Sequence, residues 1–283
     1  MNPSTAAKRA TLRDLHASGC FVIPNPWDVG SARYLQTLGF KALATTSSGC
    51  AWSLGRPDNA VSLDEALDHL RALANATDVP VSADFEGGFA DEPEAVGDNV
   101  ARALATGIAG LSIEDSTGRP GEPLYDLAVA RARVEAARAA IDAIDSTAVL
   151  TARAEGFLVG RNDLSDVIMR LTAYAEAGAD CLYAPGLRTA DTIRTVVAAV
   201  APKPVNVLVS SAGMAVADLA ALGVRRISVG GALARTAWGA FMRAAIAISE
   251  QGSFAGFADA VAFADLNGLL KRDFDSRNRG RGA

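Results

Sequence analysis

The chain has 283 residues, half of them apolar, which is enough to bury a sizeable core as one domain. Its formal net charge of −5, from 27 Lys and Arg against 32 Asp and Glu, argues against a nucleic-acid partner, because phosphate binding needs a basic face. No stretch approaches the roughly 20 uninterrupted apolar residues of a membrane span, and charges break up residues 1–15 before a signal-peptide run can form. Cys20, Cys50 and Cys181 are odd in number and lack metal-type spacing, so they read as reduced, buried thiols of a cytoplasmic protein.

Short β-branched runs alternate with longer Ala-, Leu- and Arg-rich stretches of helical period, the pattern of repeated βα units. From the N-terminus, strand and helix are expected in turn at 21–23 and 32–38, 42–46 and 63–74, 79–84 and 94–105, and 110–114 and 128–144. The alternation continues at 148–153 and 163–177, 179–183 and 190–199, 204–209 and 214–222, and 226–230 and 232–248. Gly39, Gly107, Gly178 and Gly223 stand where helices end and need a residue that tolerates positive φ. Eight such units select a closed (β/α)₈ TIM barrel over an open doubly wound sheet. Residues 254–270 carry apolar spacing for one or two extra helices that pack on this barrel or on a neighbouring subunit. Residues 1–270 are thus expected as one domain, and 271–283, rich in Arg, Asp, Asn and Gly, as a flexible tail.

Barrels place chemistry at the C-terminal ends of their strands, so polar residues there carry weight. The second predicted strand runs into Thr45-Thr46-Ser47-Ser48-Gly49, whose hydroxyls and backbone N–H groups suit a carboxylate or phosphate. Gly230-Gly231 before the last barrel helix is a less specific anion candidate. The third strand ends in Asp84 and Glu86, the fourth in Glu114 and Asp115, and the fifth in Arg153 and Glu155; the seventh carries Asn206. Alternation along an extended strand would turn Asp84 and Glu86 to the same side. Several carboxylates around one Arg repel unless a cation joins them, and hard oxygen donors without a His or Cys set point to Mg²⁺ or Mn²⁺. The four lysines, at 8, 41, 203 and 271, lie away from strand ends, which argues against a Schiff base. His16 and His69 fall on helices and read as surface residues, leaving no histidine base.

At these residues the sequence resembles the isocitrate lyase/phosphoenolpyruvate mutase superfamily, from about Phe21 to the final helices. The landmarks, in order, are Pro24-Asn25-Pro26-Trp27-Asp28 with Ser31-Ala32, and Thr46-Ser47-Ser48-Gly49 running to Leu54-Gly55-Arg56-Pro57-Asp58. Val81-Ser82-Ala83-Asp84-Phe85-Glu86-Gly87-Gly88-Phe89, Ile113-Glu114-Asp115, Thr151-Ala152-Arg153 and Glu176-Ala177-Gly178-Ala179-Asp180 follow. The resemblance implies Mg²⁺ held at Asp84, Glu86 and Glu114, with Asp58 nearby. It further implies that Arg153 and the Thr45–Ser48 loop hold a small carboxylate substrate, that Asn206 lines the pocket, and that subunits pair as a homodimer or homotetramer.

The chain also departs from this pattern. The lyases' Lys-Lys/Arg-Cys-Gly-His signature after the fourth strand is replaced by residues 115–125, which hold neither Cys nor His; Arg119 is the positive charge there. Leu43 stands where lyases of the group have Tyr. The expectation is therefore a carbon–carbon lyase acting on a 2-oxo dicarboxylate, with oxaloacetate-like decarboxylation as the concrete case. Carbon–phosphorus chemistry and a non-catalytic dicarboxylate-binding barrel stay open.

Overall fold

A computed structural model of the chain describes residues 3–279. Eight parallel strands build its centre: β1 (Phe21–Ile23), β2 (Leu43–Ala44), β3 (Val81–Asp84), β4 (Gly110–Glu114), β7 (Val149–Arg153), β8 (Cys181–Tyr183), β9 (Val205–Leu208) and β10 (Arg226–Ser228). They pair in the order β1-β10-β9-β8-β7-β4-β3-β2, and the Ala44 N–H donates to the Pro24 carbonyl at 3.0 Å between the two edge strands. The result is the expected (β/α)₈ barrel, with every strand within two residues of its predicted bounds. β5 (Ser116–Arg119) and β6 (Glu122–Leu124) form an antiparallel hairpin inserted between β4 and β7.

Eight helices follow the strands: α2 (Val29–Thr37), α4 (Leu63–Ala76), α5 (Pro93–Leu104), α6 (Leu127–Ile144), α7 (Leu164–Glu176), α8 (Ala190–Ala199), α9 (Val216–Ala221) and α10 (Ala232–Gln251). Their apolar stripes make the core. On α4, Leu67, Leu70, Leu73 and Ala74 share one face and are buried, and each fully buried Leu contributes about 1.5–3 kcal/mol. The four predicted helix-ending glycines all adopt φ between +88° and +100°, where a side chain is strained.

Beyond the eight βα units, the bounds of three further helices are set by the structure. α1 (Thr5–Ala17) covers the N-terminal end of the barrel, where Lys8 Nζ donates to the Ala74 and Thr77 carbonyls and Arg9 to those of Leu104 and Ile108. α3 (Ser47–Ser53) forms within the expected anion loop. Finally, α11 (Phe263–Arg279) carries helix through Lys271, where a tail was expected. Asp273 accepts from Arg33 Nε at 2.7 Å, and Arg277 donates to the Ala76 carbonyl, so polar contacts dock this segment without an apolar run. Residues 280–283 lie outside the described range. Phe254, Phe257, Val261, Phe263 and Phe274 are more than half exposed.

His16 corrects the surface assignment. It is buried in α1, with Nδ1–H donating to the Leu12 carbonyl at 2.7 Å, its ring edge-on to Phe21, and Nε2 buried without a partner. His69 is half-buried rather than free at the surface. Burial first, then the charge of Arg226, pushes the His16 pKa down to about 3. As pH falls below 6.5 the unfolded chain binds a proton that the fold excludes, so stability present above 6.5 is lost. The loss is about 1.4 kcal/mol per pH unit, or about 2 kcal/mol at pH 5. Urea unfolding at pH 7 and pH 5 should show a smaller decrease for His16→Phe than for wild type. Equal decreases would clear His16 of this role.

Candidate active site

The strand ends frame a cavity of about 150 Å³ at the C-terminal mouth of the barrel. Its polar lining comes from Asn25, Thr45 to Ser48, Asp58, Asp84, Ser112, Arg153, Tyr183, Arg226 and Ser228; Leu158, Pro185 and Leu208 supply apolar wall. Among the described residues, no His, Lys or Cys lines it.

Arg153, the last residue of β7, organises the acidic groups. Its guanidinium reaches Asp84 Oδ1 at 2.6 Å, Glu114 Oε2 at 3.1 Å and Glu155 Oε1 at 2.8 Å, and lies 5.2 Å from the centre of the Tyr183 ring. Burial opposes its charge, but Glu114, Glu155 and Asp84 outweigh burial and hold it firmly protonated. Burial raises the carboxyl pKa of Glu114, with Arg153 opposing. The other Asp84 oxygen accepts from the Ser47 N–H at 3.0 Å and from Ser47 Oγ at 2.9 Å, while Asp84 N–H donates to Thr45 Oγ at 2.8 Å. Asp58 sits 3.5 Å from the same Ser47 hydroxyl. Its pKa is raised by burial and by Asp84.

The predicted loop is thus a capped helix start. Thr46 is the N-cap of α3, accepting the Gly49 N–H and lying 3.1 Å from the Ser48 hydroxyl. Gly49 is there for packing: a Cβ would sit 2.6 Å from Thr46 Cγ2 and 2.8 Å from Trp27 Cβ. At Gly231 a Cβ would fall 2.9 Å from Ser48 Oγ, and the Gly230 N–H is already bound to Asn25 Oδ1.

Five of the expected site residues, Gly49, Glu86, Glu114, Arg119 and Asn206, are absent from the cavity lining. Strand β3 stops at Asp84 and the chain turns, with Glu86 at φ +49°, so alternation does not carry Glu86 into the cavity. It lines an adjoining cleft with Glu114, Tyr125 and Arg133, where burial, then Asp84 and Asp58, push its pKa up to about 7. Arg119, on the hairpin, pairs with Asp91 at 3.3 Å and is absent from the cavity lining. Asn206 is buried one layer out, donating to Ser228 Oγ at 2.9 Å, and Ser228 rather than Asn206 lines the cavity. The sequence reading passed over Arg226, although a charged residue inside a predicted barrel strand was a usable signal.

The donors fit a hard divalent cation. Asp58, Asp84, Glu86, Glu114 and Glu155 offer only oxygens and lie around Arg153, and Arg226 is the other guanidinium in the cavity lining. Among the described residues no three acidic, His or Cys side chains converge tightly enough to cage an ion. That is compatible with Mg²⁺, which keeps several waters and takes one or two protein carboxylates.

Residues 12–249 match the phosphoenolpyruvate phosphomutase family model. A crystal structure of a Burkholderia cenocepacia J2315 protein described as a lyase/mutase superposes with a TM-score of 0.91 at 48% identity, covering 94% of this chain and 97% of that one. An uncharacterized protein of Mycobacterium tuberculosis strain H37Rv is 35% identical over 94% of this chain and 98% of its own length. The oxaloacetate decarboxylase of Paraburkholderia xenovorans strain LB400 is 29% identical over 79% of this chain and 75% of its own. With the fold, the Asp84/Arg153 constellation and these matches in agreement, the chain belongs to the isocitrate lyase/phosphoenolpyruvate mutase superfamily.

Proposed function

We propose that this protein is a Mg²⁺-dependent carbon–carbon lyase that decarboxylates a small 2-oxo dicarboxylate of the oxaloacetate type. The observation that carries this reading is a cavity lined by Asp58, Asp84, several hydroxyls and the guanidinium groups of Arg153 and Arg226, with no His, Lys or Cys among its described lining residues. Cleaving a 2-hydroxy acid needs a base for the hydroxyl and an acid for the departing carbanion, groups typically contributing about 10²–10⁴-fold. Loss of CO₂ from a 2-oxo acid needs neither, only stabilisation of the negative charge that moves onto the oxo oxygen.

Asp84 would hold the metal, with Glu114 and Asp58 close enough to bind its waters. Bound there, Mg²⁺ supplies Lewis-acid stabilisation of that developing charge. The chain's own residues do the remaining work. Ser47 fixes one Asp84 oxygen and Arg153 the other, so the carboxylate is oriented before substrate arrives. Arg153 also adds fixed positive potential beside the reacting oxygens. Leu158, Pro185 and Leu208 supply apolar lining, and solvent protonates the product carbon.

A relative that bears the name oxaloacetate decarboxylase supports the reading, and the phosphomutase family match keeps carbon–phosphorus chemistry as its competitor. A panel of 2-oxo acids and phosphonates with Mg²⁺ separates them. We expect pyruvate and CO₂ from oxaloacetate, or the correspondingly substituted pyruvate and CO₂ from a 3-substituted relative, unaffected by Cys50→Ser or Cys181→Ser. Phosphate from phosphonopyruvate would favour the competitor, and binding without turnover would leave a non-catalytic barrel.

A further inference from the structure

Arg226 is the first residue of β10 and rises inside the barrel beneath the cavity mouth. It is 5% exposed, yet it contributes to the cavity lining. Its Nη1 donates to Thr151 Oγ at 2.9 Å, and Nε is buried with no hydrogen-bond partner. Thr151 lies two residues before Arg153 on β7, which puts the Arg226 guanidinium roughly 7 Å deeper than the Arg153 backbone.

Other buried cations of the chain are compensated. Arg9, Arg33 and Arg170 reach carboxylates, and Lys8 and Arg133 are bound by backbone carbonyls. Arg153 is shared among three carboxylates. Arg226 alone faces the cavity with one neutral acceptor, among the described residues. A guanidinium removed from water without an anion is costly to the fold, and an anionic ligand in the cavity would offset that cost.

We infer that Arg226 anchors the carboxylate that the substrate keeps, at the floor of the cavity. Ser112 and Ser228 add hydroxyl groups to the same cavity lining. Seating one carboxylate there directs the rest of a 2-oxo dicarboxylate toward the cavity mouth, where the far carboxylate departs as neutral CO₂. The identity of the retained end rests on the proposed decarboxylation; the anion site itself does not.

Calorimetric titration of the full chain in Mg²⁺ with pyruvate, oxalate and the neutral analogue pyruvamide tests this. A charge-assisted hydrogen-bond pair removed in Arg226→Met should weaken pyruvate and oxalate by about 10- to 100-fold while leaving pyruvamide unchanged. Arg226→Lys should recover part of the loss. Unliganded Arg226→Met should melt no lower than wild type, because replacing a buried charge with apolar volume is neutral or stabilising, but it should lose the rise in Tm that pyruvate gives wild type. Unchanged pyruvate binding in Arg226→Met, equal weakening of pyruvate and pyruvamide, or no binding of either acid by wild type would overturn the assignment. Should Arg226→Met fail to fold, equal weakening of pyruvate and pyruvamide in Arg226→Lys would do the same. Turnover of oxaloacetate by wild type, followed in parallel, reports on the reaction separately. Turnover with Arg226-independent pyruvate binding sinks the anchor and spares the reaction, and the reverse result spares the anchor.

Discussion

Replacing Arg153 by alanine should abolish turnover, with a loss in kcat/KM of at least about 10³-fold, the upper end of what one preorganised electrostatic group contributes. The expected loss is large because one side chain serves three carboxylates at 2.6, 3.1 and 2.8 Å. Without it, Asp84, Glu114 and Glu155 face one another in a mouth that excludes most water, and protons or rearrangement must relieve the repulsion. Removing one partner of a buried ion pair destabilises by about 3–5 kcal/mol, a large part of a typical 5–15 kcal/mol total. Arg153→Ala must therefore be checked for folding by circular dichroism before its rate is interpreted. Arg153→Lys keeps the charge but has no planar fork to span three acceptors, so it should recover little. A folded Arg153→Ala enzyme with near-wild-type turnover would remove Arg153 from the machinery.

Replacing Asp84 by alanine should eliminate Mg²⁺ binding in the range where wild type saturates, measured by calorimetry or by Mn²⁺ paramagnetic resonance. Asp84 is the carboxylate that lines the cavity and is held at both oxygens, by Arg153 and by Ser47. A hard dication that keeps most of its waters cannot spare its principal anionic ligand. Glu86→Asp should be milder, because Glu86 stands in the adjoining cleft. Retention of wild-type Mg²⁺ affinity by Asp84→Ala would move the metal elsewhere.

The barrel was legible because its signals are local and repeated. Eight β-branched runs, eight helical stretches and the αβ-turn glycines each state the same unit, and agreement over eight copies leaves little freedom. Asp84, Arg153 and the Thr45 to Ser48 run were legible as well, since position at a strand end is enough to bring them to one mouth, whereas Asp58, in the loop between α3 and α4, was legible only through the family resemblance. What escaped depends on how backbone and side chains leave the regular elements. Period-2 reasoning extends β3 to Glu86, but the turn from Phe85 to Gly88 ends the strand first. Arg119 carries the right charge, yet the hairpin aims it at Asp91. His16 looks polar in isolation, and only the packing of α1 under the barrel buries it. Residues beyond Lys271 lack a long apolar run, and the helix there is fastened by Arg33 and the Ala76 carbonyl, partners about 200 residues or more away in sequence.

The most direct test of the central claim is pyruvate release from oxaloacetate by the purified wild-type chain, corrected for the spontaneous reaction, with Mg²⁺ and after chelation by EDTA. The account predicts enzyme-dependent pyruvate formation that disappears with EDTA and returns with added Mg²⁺. No enzyme-dependent pyruvate in either condition, or equal rates with and without the metal, would contradict it.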